Sequence, residues 1–154
     1  MRITFLLLIS SLFVTHAQTS DVLIKDLIAK NLTETIELRH WFHQNAELSN
    51  REFKTSERIA KELKKIGLNP ITGIAKTGVV AILNEGKPGP VVALRADIDG
   101  LPVKERADLP WASKMTGVYN GEKVPVMHAC GHDTHTAILP VSYTHLRAHE
   151  TELH

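Results

Sequence analysis

Two short apolar runs in the middle of the chain, GVVAIL from Gly78 and VVALRAD from Val91, constrain the fold most strongly. Both are rich in β-branched residues and are typical of strands. The turn-rich segment NEGKPGP between them fits a hairpin-type loop, so we predict that the two strands are antiparallel neighbours. Because the runs are apolar at nearly every position, both faces of the sheet need a cover. The sequence therefore predicts a layered α/β domain.

Two amphipathic helices upstream can supply one of these covers. The first is predicted from Ser20 to about Asn45, and the residues at helical spacing on its apolar face are Ile24, Leu27, Ile28, Leu32, Ile36 and Trp41. The second begins at a capping-box pattern, Ser49 to Glu52, and ends at Gly67. The residues expected on its buried face are Phe53, Ile59, Ala60, Leu63 and Ile66. The Pro- and Gly-containing segment 100–126 is predicted to be a long loop that borders a site.

The length and net charge of the chain are those of an ordinary globular protein, and they exclude few classes of function. A chain of 154 residues is long enough for one domain with a core. A formal net charge of +1 gives no electrostatic reason to expect a nucleic-acid partner. Cys130 is the single cysteine, so no internal disulfide can form and the thiol is free for metal binding, redox chemistry or packing.

The two ends of the chain are predicted to lie outside the folded domain. Residues 1–17 read as a cleavable signal peptide, with Arg2 before an apolar run and small residues before a cleavage point after Ala17. The run is shorter than a membrane span, so we expect secreted or periplasmic protein without a permanent membrane anchor. Pro140 is predicted to end a helix, and residues 140–154 resemble a translated sequencing adapter, which we interpret as a non-native tail.

The stretch VMHACGHDTHTA, residues 126–137, is the first candidate for chemistry. Cys130 and His132 are one glycine apart, and thiolate and imidazole are good ligands for zinc and similar ions. Two ligands suit a catalytic site with an open position better than a closed structural zinc site; the plainer alternative is a polar loop around a buried cysteine. Asp133 is either a helix cap or a partner of a ligand, while His128 and His135 either orient other groups or are ordinary polar residues.

Asp97 and Asp99 form the second constellation, in LRADIDGLP. Their i, i+2 spacing at the end of an apolar strand directs both carboxylates to one side. Carboxylates placed there can bind a metal, orient a metal-bound imidazole or accept a proton. The alternative is a turn in which Asp97 pairs with Arg95. A third group lies where the two helices meet, and there His43 is expected to pack or cap rather than to bind a ligand.

These segments, together with LRHWFHQNAELSNREFKTSERIAKELKKIGL and TGVVAIL, resemble the N-terminal half of the catalytic domain of the M20 metallopeptidases, in the amidohydrolase branch that includes hippurate hydrolase, N-acyl-amino-acid amidohydrolases and auxin-conjugate hydrolases. The resemblance covers roughly residues 30–139, so residues 18–139 are predicted to be part of that domain. It implies an α/β fold with a mixed sheet and flanking helices, and a lid or dimerisation domain further along. Segment 119–125 looks inserted relative to the shortest members.

The resemblance also implies roles for the two constellations. Cys130 and His132 match two ligands of a divalent metal centre that holds zinc, manganese, cobalt or nickel, with two ions expected in the full-length enzyme. Asp97 and Asp99 match an acidic pair, for which we expect supporting roles rather than direct ligation.

The implied reaction is hydrolysis of the amide bond in N-acyl amino acids or small peptide-like substrates by a metal-activated water. The family's general-base glutamate and its other ligands lie beyond the matched region, so we expect this chain to be an inactive fragment of an enzyme that forms a homodimer through its lid. Two alternatives stay open: a thiol or redox protein that uses Cys130 as nucleophile, with His132 or His128 as base, and a non-catalytic metal-binding module.

Overall fold

A computed structural model describes the backbone of residues 2–150 and the side chains of Val22 and of residues 24–143. The elements in chain order are α1 (Arg2–Gln44), α2 (Phe53–Lys65), β1 (Ile71–Ile74), β2 (Gly78–Val80), β3 (Met115–Tyr119), β4 (Glu122–Val126) and α3 (His132–Glu150). The chain divides into two compact units, Met1–Glu34 and Thr35–His154.

The first unit consists of the greater part of α1. Apolar side chains that we expected to be packed are about half exposed there: Ile24 and Ile28 at 51% and Leu32 at 50%. The side chains of the predicted signal peptide, residues 1–17, lie outside those that the structure describes, and the backbone of α1 runs through the predicted cleavage point. In the described part of the chain, no helix has the length and apolar character that crossing a membrane requires.

The second unit has two small hydrophobic clusters. Leu38 and Phe42, near the end of α1, pack with Ala137 of α3, and Trp41 and Ile59 cover them. Ala46, Leu48 and Val126 form the other cluster, against which Met115 and Val124 pack. Both clusters are built around the last turns of α1 and the residues that follow it. This part of the molecule therefore holds β4 and α3 against the end of α1.

The predicted pairing of the strands from Gly78 and Val91 is wrong. β2 instead pairs antiparallel with β1, with Ile71 opposite Val80, and no strand forms over residues 91–99. The connection from β1 to β2 has only three residues, and a short loop costs less chain entropy than the seven-residue Gly- and Pro-containing segment we expected to close. Val91 and Val92 are left 97% and 81% exposed.

A second hairpin lies inside the segment that we expected to be irregular. β3 and β4 pair antiparallel from Met115 opposite Val126 to Tyr119 opposite Glu122. The two connecting residues, Asn120 and Gly121, both have positive φ, 51° and 83°. This is the combination that favours a tight hairpin turn, so the segment 119–125 that looked inserted is the tip and return strand of a hairpin.

The start of α2 and the course of α3 also differ from the predictions. Ser49 makes no capping bond: the carboxylate of Glu47 accepts the backbone N–H groups of Lys54 and Thr55 instead. Phe53, expected to be buried, is 62% exposed. Pro140 does not end α3, because one missing N–H in a 19-residue helix is outweighed by the hydrogen bonds of the turns on either side.

Candidate active site

The acidic segment is held close to the HACGHD loop by backbone hydrogen bonds. The N–H of Leu101 donates to the carbonyl of Met127 at 2.8 Å, and the N–H of Met127 returns to the carbonyl of Leu101 at 3.1 Å. The N–H of Gly100 donates to the carbonyl of Glu47 at 2.6 Å. A Cβ on Gly100 would lie 3.0 Å from Cγ1 of Val126, so glycine permits this close approach. The carboxylates of residues 97 and 99 are thereby brought to the start of α3.

His132 lies between the two aspartates. Its Nδ1 is 2.9 Å from Oδ1 of Asp99 and 3.1 Å from the backbone carbonyl oxygen of the same residue. A carbonyl oxygen can only accept, so Nδ1 carries a hydrogen and donates it. Its Nε2 is 3.5 Å from Oδ2 of Asp97. In the neutral ring, Nε2 therefore keeps its lone pair, the arrangement in which histidines bind metals while a carboxylate holds their other nitrogen.

Asp97 is shared between two histidines and the first turns of α3. Nδ1 of His135 donates to its Oδ1 at 2.7 Å, and the hydroxyl of Thr136 lies 2.9 Å from its backbone oxygen. The hydrogen bond from His135 lowers the pKa of the Asp97 carboxyl below its ordinary value, because it favours the charged form. Asp97 is thus an ionised carboxylate at neutral pH, beside the free nitrogen of His132.

Cys130 is a free, exposed thiol two residues before the start of α3, which does not agree with the alternative of a buried cysteine. Gly131 has a φ of 86°, a left-handed conformation that glycine adopts without strain. Its carbonyl accepts the N–H groups of Thr134 and His135 at 3.0 and 3.3 Å and so begins α3. Gly131 therefore makes the turn that places a thiol and an imidazole side by side in the chain.

The described side chains do not converge into a ready metal cluster: among them, no three His, Cys, Asp or Glu residues are grouped so that they could hold an ion. The chemistry of the donors nevertheless fits a divalent metal. A free thiol at Cys130 and an available Nε2 at His132 are the soft and intermediate ligands that zinc and its neighbours prefer. These two residues are the ones that would hold an ion here.

Behind the loop lies a buried ionic cluster that sequence reasoning did not predict. Nδ1 of His43 is 2.8 Å from Oδ2 of Asp133, and Nε2 of His43 is 2.8 Å from Oε2 of Glu105. Nε of Arg39 is also 2.8 Å from Oδ2 of Asp133. The side chains of His43 and Asp133 are 7% and 1% exposed. The carboxylates of Asp133 and Glu105 are therefore both bonded to His43 out of water, and Asp133 is also paired with Arg39, whose side chain is 32% exposed.

Asp133 does not cap α3, because its carboxylate is directed to α1. We considered two roles for Asp133, a helix cap or a partner of a ligand. Its carboxylate makes no direct contact with His132; it contacts His43 and Arg39 of the cluster instead. Glu105 is held by the backbone N–H groups of Ala107 and Arg106 as well as by His43. The bond from Ala107 and then the one from His43 lower the pKa of its carboxyl. Both oxygens of Glu105 are therefore bonded, whereas Asp133 is bonded only through Oδ2, and its buried Oδ1 has no hydrogen-bond partner among the described residues.

His128 is 5% exposed, and neither of its ring nitrogens has a hydrogen-bond partner among the described residues. Burial disfavours the charged ring and lowers its pKa to about 4. Its ring lies 6.4 Å from that of His43, centroid to centroid. His128 is consequently neutral at pH 7, and it contributes packing rather than charge.

The structure thus brings together Asp97, Asp99 and His132, whereas Cys130, two residues before His132 in the chain, is a free thiol exposed at the surface. Whether these four residues carry catalysis or bind metal stays a prediction. His43 is packed, as expected, but its two carboxylate partners were missed. The available signal was weak: Arg39 and His43 are four residues apart on one helix face, whereas Glu105 and Asp133 are 62 and 90 residues from His43.

Comparison with known proteins gives a consistent family. The model of a protein family described as Peptidase family M20/M25/M40 matches residues 93–154. Thermostable carboxypeptidase 2 of Saccharolobus solfataricus is 42% identical over 122 residues, 74% of this chain and 29% of that protein. N-acetyl-L-cysteine deacetylase of Bacillus subtilis is 46% identical over 106 residues, 69% and 24% of the two chains. Hippurate hydrolase of Campylobacter jejuni is 41% identical over 109 residues, which are 71% of this chain and 26% of that protein. The aligned part of the chain thus spans between 24% and 29% of each of these relatives.

Solved structures agree with the sequence relatives. The YXEP protein of Bacillus subtilis, described as a dinuclear metal binding peptidase from the M20 family, is 37% identical with a TM-score of 0.66, over 76% of this chain and 31% of that one. A protein from methicillin-resistant Staphylococcus aureus is 36% identical with a TM-score of 0.68, over 79% and 29% of the two chains. These similarities confirm the α/β fold class and the predicted resemblance. The chain belongs to the M20 family, and the relatives that it matches include the family's amidohydrolase-type members.

Proposed function

We propose that the protein to which this chain belongs is a metal-dependent hydrolase that cleaves the amide bond of N-acyl amino acids or small peptide-like compounds. Several sequence relatives are named for such reactions, among them a hippurate hydrolase and an N-acetyl-L-cysteine deacetylase. The similar solved structure is described as binding two metals. Zinc, manganese, cobalt or nickel would suit the donors that this chain offers.

One observation carries the proposal: Nδ1 of His132 donates to the carbonyl and carboxylate of Asp99, so in the neutral ring Nε2 is left as a lone-pair donor, two residues along the chain from the exposed free thiol of Cys130. If the loop were only a polar segment, nothing would require the tautomer of His132, whose side chain is 16% exposed, to be fixed. A carboxylate behind an imidazole raises the basicity of the imidazole as a ligand. Cys130 and His132 would therefore hold the metal, and Asp99 would orient His132.

The remaining residues have supporting roles. Asp97 is kept ionised by His135, and it places a negative charge 3.5 Å from Nε2 of His132, where it favours a bound cation. When bound, a divalent ion of this kind polarises an amide carbonyl and lowers the pKa of a water molecule towards about 7. The chain's own contribution is to hold the ligands and to supply negative charge around them.

Metal binding by the chain can be measured without any substrate. Cobalt(II) added to the metal-free protein should produce a thiolate-to-cobalt absorption band, and zinc should protect Cys130 from alkylation by iodoacetamide until a chelator removes it. Cys130→Ser and His132→Asn should each abolish the band. The matched control is His40→Asn, because His40 stacks on Trp111 at 3.8 Å instead of contacting the loop.

The same experiment tests the thiol alternative. Fast alkylation of Cys130 that is indifferent to zinc and to chelator, with no cobalt band, would refute the metal proposal and favour a nucleophilic cysteine. Nε2 of His132 would be the base for such a thiol, because Nδ1 of the same ring is bonded to Asp99 and His128 is buried.

Turnover is expected of the longer protein rather than of these 154 residues alone. The family's general-base glutamate is implied outside the matched region, so we propose that this chain with zinc or manganese does not hydrolyse hippurate or N-acetyl amino acids. Metal-dependent hydrolysis by the chain itself would contradict this. Dimerisation through a lid domain is part of the same proposal, and the molecular mass of the longer protein in solution tests it.

We also propose that residues 1–17 direct the protein to the periplasm or the exterior. The support is the charge at Arg2, the apolar run and the small residues before Gln18. N-terminal sequencing of the mature protein should begin at Gln18, and a mature protein that begins at Met1 would refute the proposal.

A further inference from the structure

Two consecutive residues at the start of α3 are held by one short segment of the chain. His132 is bonded directly to Asp99, at 2.9 Å. Asp133 is connected to Glu105, six residues further along, through the ring of His43, with 2.8 Å on each side. The segment 99–105 is itself fixed to the HACGHD loop by the paired backbone bonds between Leu101 and Met127. These contacts form a closed loop of interactions in which His43 is the member contributed by α1.

The chemistry of this connection depends on a ring with two donors. Ionised carboxylates only accept hydrogen bonds, so both nitrogens of His43 donate, one to each partner. The ring is almost enclosed, with a side chain that is 7% exposed, and the side chains of Asp133 and Glu105 are 1% and 10% exposed. Water therefore has little room to replace the imidazole between the two anions. Removal of the ring would leave Asp133 with Arg39 and Glu105 with its own backbone N–H groups, and α3 would lose its connection to Glu105, keeping only its direct bonds to Asp97 and Asp99.

We propose that His43 is a positioning residue for the metal site: by holding Asp133 against Glu105 it fixes the first turn of α3 and thereby the orientation of the neighbouring His132 towards Asp99. The significance of His132 rests on the proposed function, whereas the geometry does not. If the ion cluster only stabilised the fold, removing His43 would lower the stability of the whole unit evenly. If His43 positions the metal site, removing it would first affect residues 130–135.

The test compares variants that share the substitution Glu105→Gln, which removes the lone negative charge that a change at His43 would otherwise expose. In this background His43 can still donate to the amide oxygen of Gln. His43→Leu removes both donors, and His43→Gln restores one donor for Asp133. The matched control is Glu52→Gln, since Glu52 is also buried, at 4%, and bonds to Thr77 and to the N–H of Asn50, away from the loop. All variants are made in the whole 154-residue chain and are prepared free of metal.

The first readout is amide hydrogen exchange. The N–H groups of Thr134 and His135 donate to Gly131 and report on the first turn of α3. Relative to Glu105→Gln alone, the double variant with His43→Leu should exchange these amides at least about tenfold faster, while amides of α2 change much less. The variant with His43→Gln should recover part of the protection, and Glu52→Gln should not select these amides. Equal acceleration in α2 and α3, or no acceleration, would overturn the positioning role.

The second readout is cobalt(II) affinity, in the same set of proteins. Loss of a residue that orients a ligand typically weakens metal binding by about 10- to 100-fold, so the variant with His43→Leu should bind that much more weakly than Glu105→Gln alone. Equal affinities would refute the inference and leave the proposed function intact. If the unmodified chain binds no cobalt, the proposed metal site fails, and hydrogen exchange still decides whether His43 positions the loop.

Discussion

Acidification from pH 7 to pH 5 should destabilise the protein through one residue, His128. Its ring is 5% exposed and has no hydrogen-bond partner among the described residues, and its pKa falls from 6.5 to about 4 because burial disfavours the charged form. A group whose pKa is lower in the folded state stabilises the fold above its unfolded pKa, and this contribution is lost as the pH falls towards the folded pKa. The interval from 6.5 to about 4 corresponds to about 3 kcal/mol in all, and about 2 kcal/mol of it is lost between pH 7 and pH 5.

The pH range is chosen to separate this histidine from the carboxyl groups. The carboxyls of Asp97, Glu62 and Glu105 have pKa values below their ordinary range and stay ionised at pH 5. Urea unfolding, followed by the fluorescence of Trp41 and Trp111 with chelator present, gives the free energy of unfolding at both pH values. The wild type should lose about 2 kcal/mol more than His128→Gln, which does not titrate. His40→Gln is the control and should behave as the wild type does. Equal losses in the wild type and His128→Gln would refute the reasoning.

Three further predictions concern packing and charge. Phe42→Ala should lower the free energy of unfolding by about 3–5 kcal/mol because Phe42 is 1% exposed, whereas Phe53→Ala at a 62% exposed position should change it by less than about 0.5 kcal/mol in urea titrations; similar losses would contradict the core assignment. Gly100→Ala should cost about 1–3 kcal/mol by urea unfolding, since its Cβ would meet Cγ1 of Val126 at 3.0 Å, and Val126→Ala should relieve part of that cost; strictly additive losses would exclude the clash. Glu105→Gln should be less stable than the wild type at pH 6. That deficit should shrink as the pH falls below about 4.5, because the lowered pKa of Glu105 stabilises the fold only while the carboxyl is ionised; a deficit that is the same at pH 6 and pH 4 would argue against it.

The helices of the fold were predictable from local patterns, whereas the strand pairing was not. Apolar spacing and glycine located the C-terminal ends of α1 and α2 to within a few residues, because a helix is determined by its own hydrogen bonds, but the predicted start of the first helix at Ser20 is wrong, since α1 begins at Arg2. A strand needs a neighbour, and the sequence did not show that β1 would reach β2 before the run from Val91 could. The Asn-Gly turn of the second hairpin was a usable signal that the surrounding prolines and glycines obscured.

The candidate site was predictable where ligand types lie close in sequence. The i, i+2 spacings of Asp97 with Asp99 and of Cys130 with His132 located the surface side of the site. The buried side was missed because its members are distant in sequence: Arg39 and His43 come from α1, Glu105 from a loop and Asp133 from α3. A single histidine on a helix face gives no indication that two carboxylates will enclose it.

The uncovered run after Pro90 has a practical consequence for anyone who handles this polypeptide. Val91, Val92 and Leu94 are 97%, 81% and 57% exposed, and their backbone belongs to no strand. A short β-branched stretch with free amide and carbonyl groups is a template on which other molecules can add by backbone hydrogen bonding. We therefore expect this run to promote aggregation of the purified chain as its concentration rises.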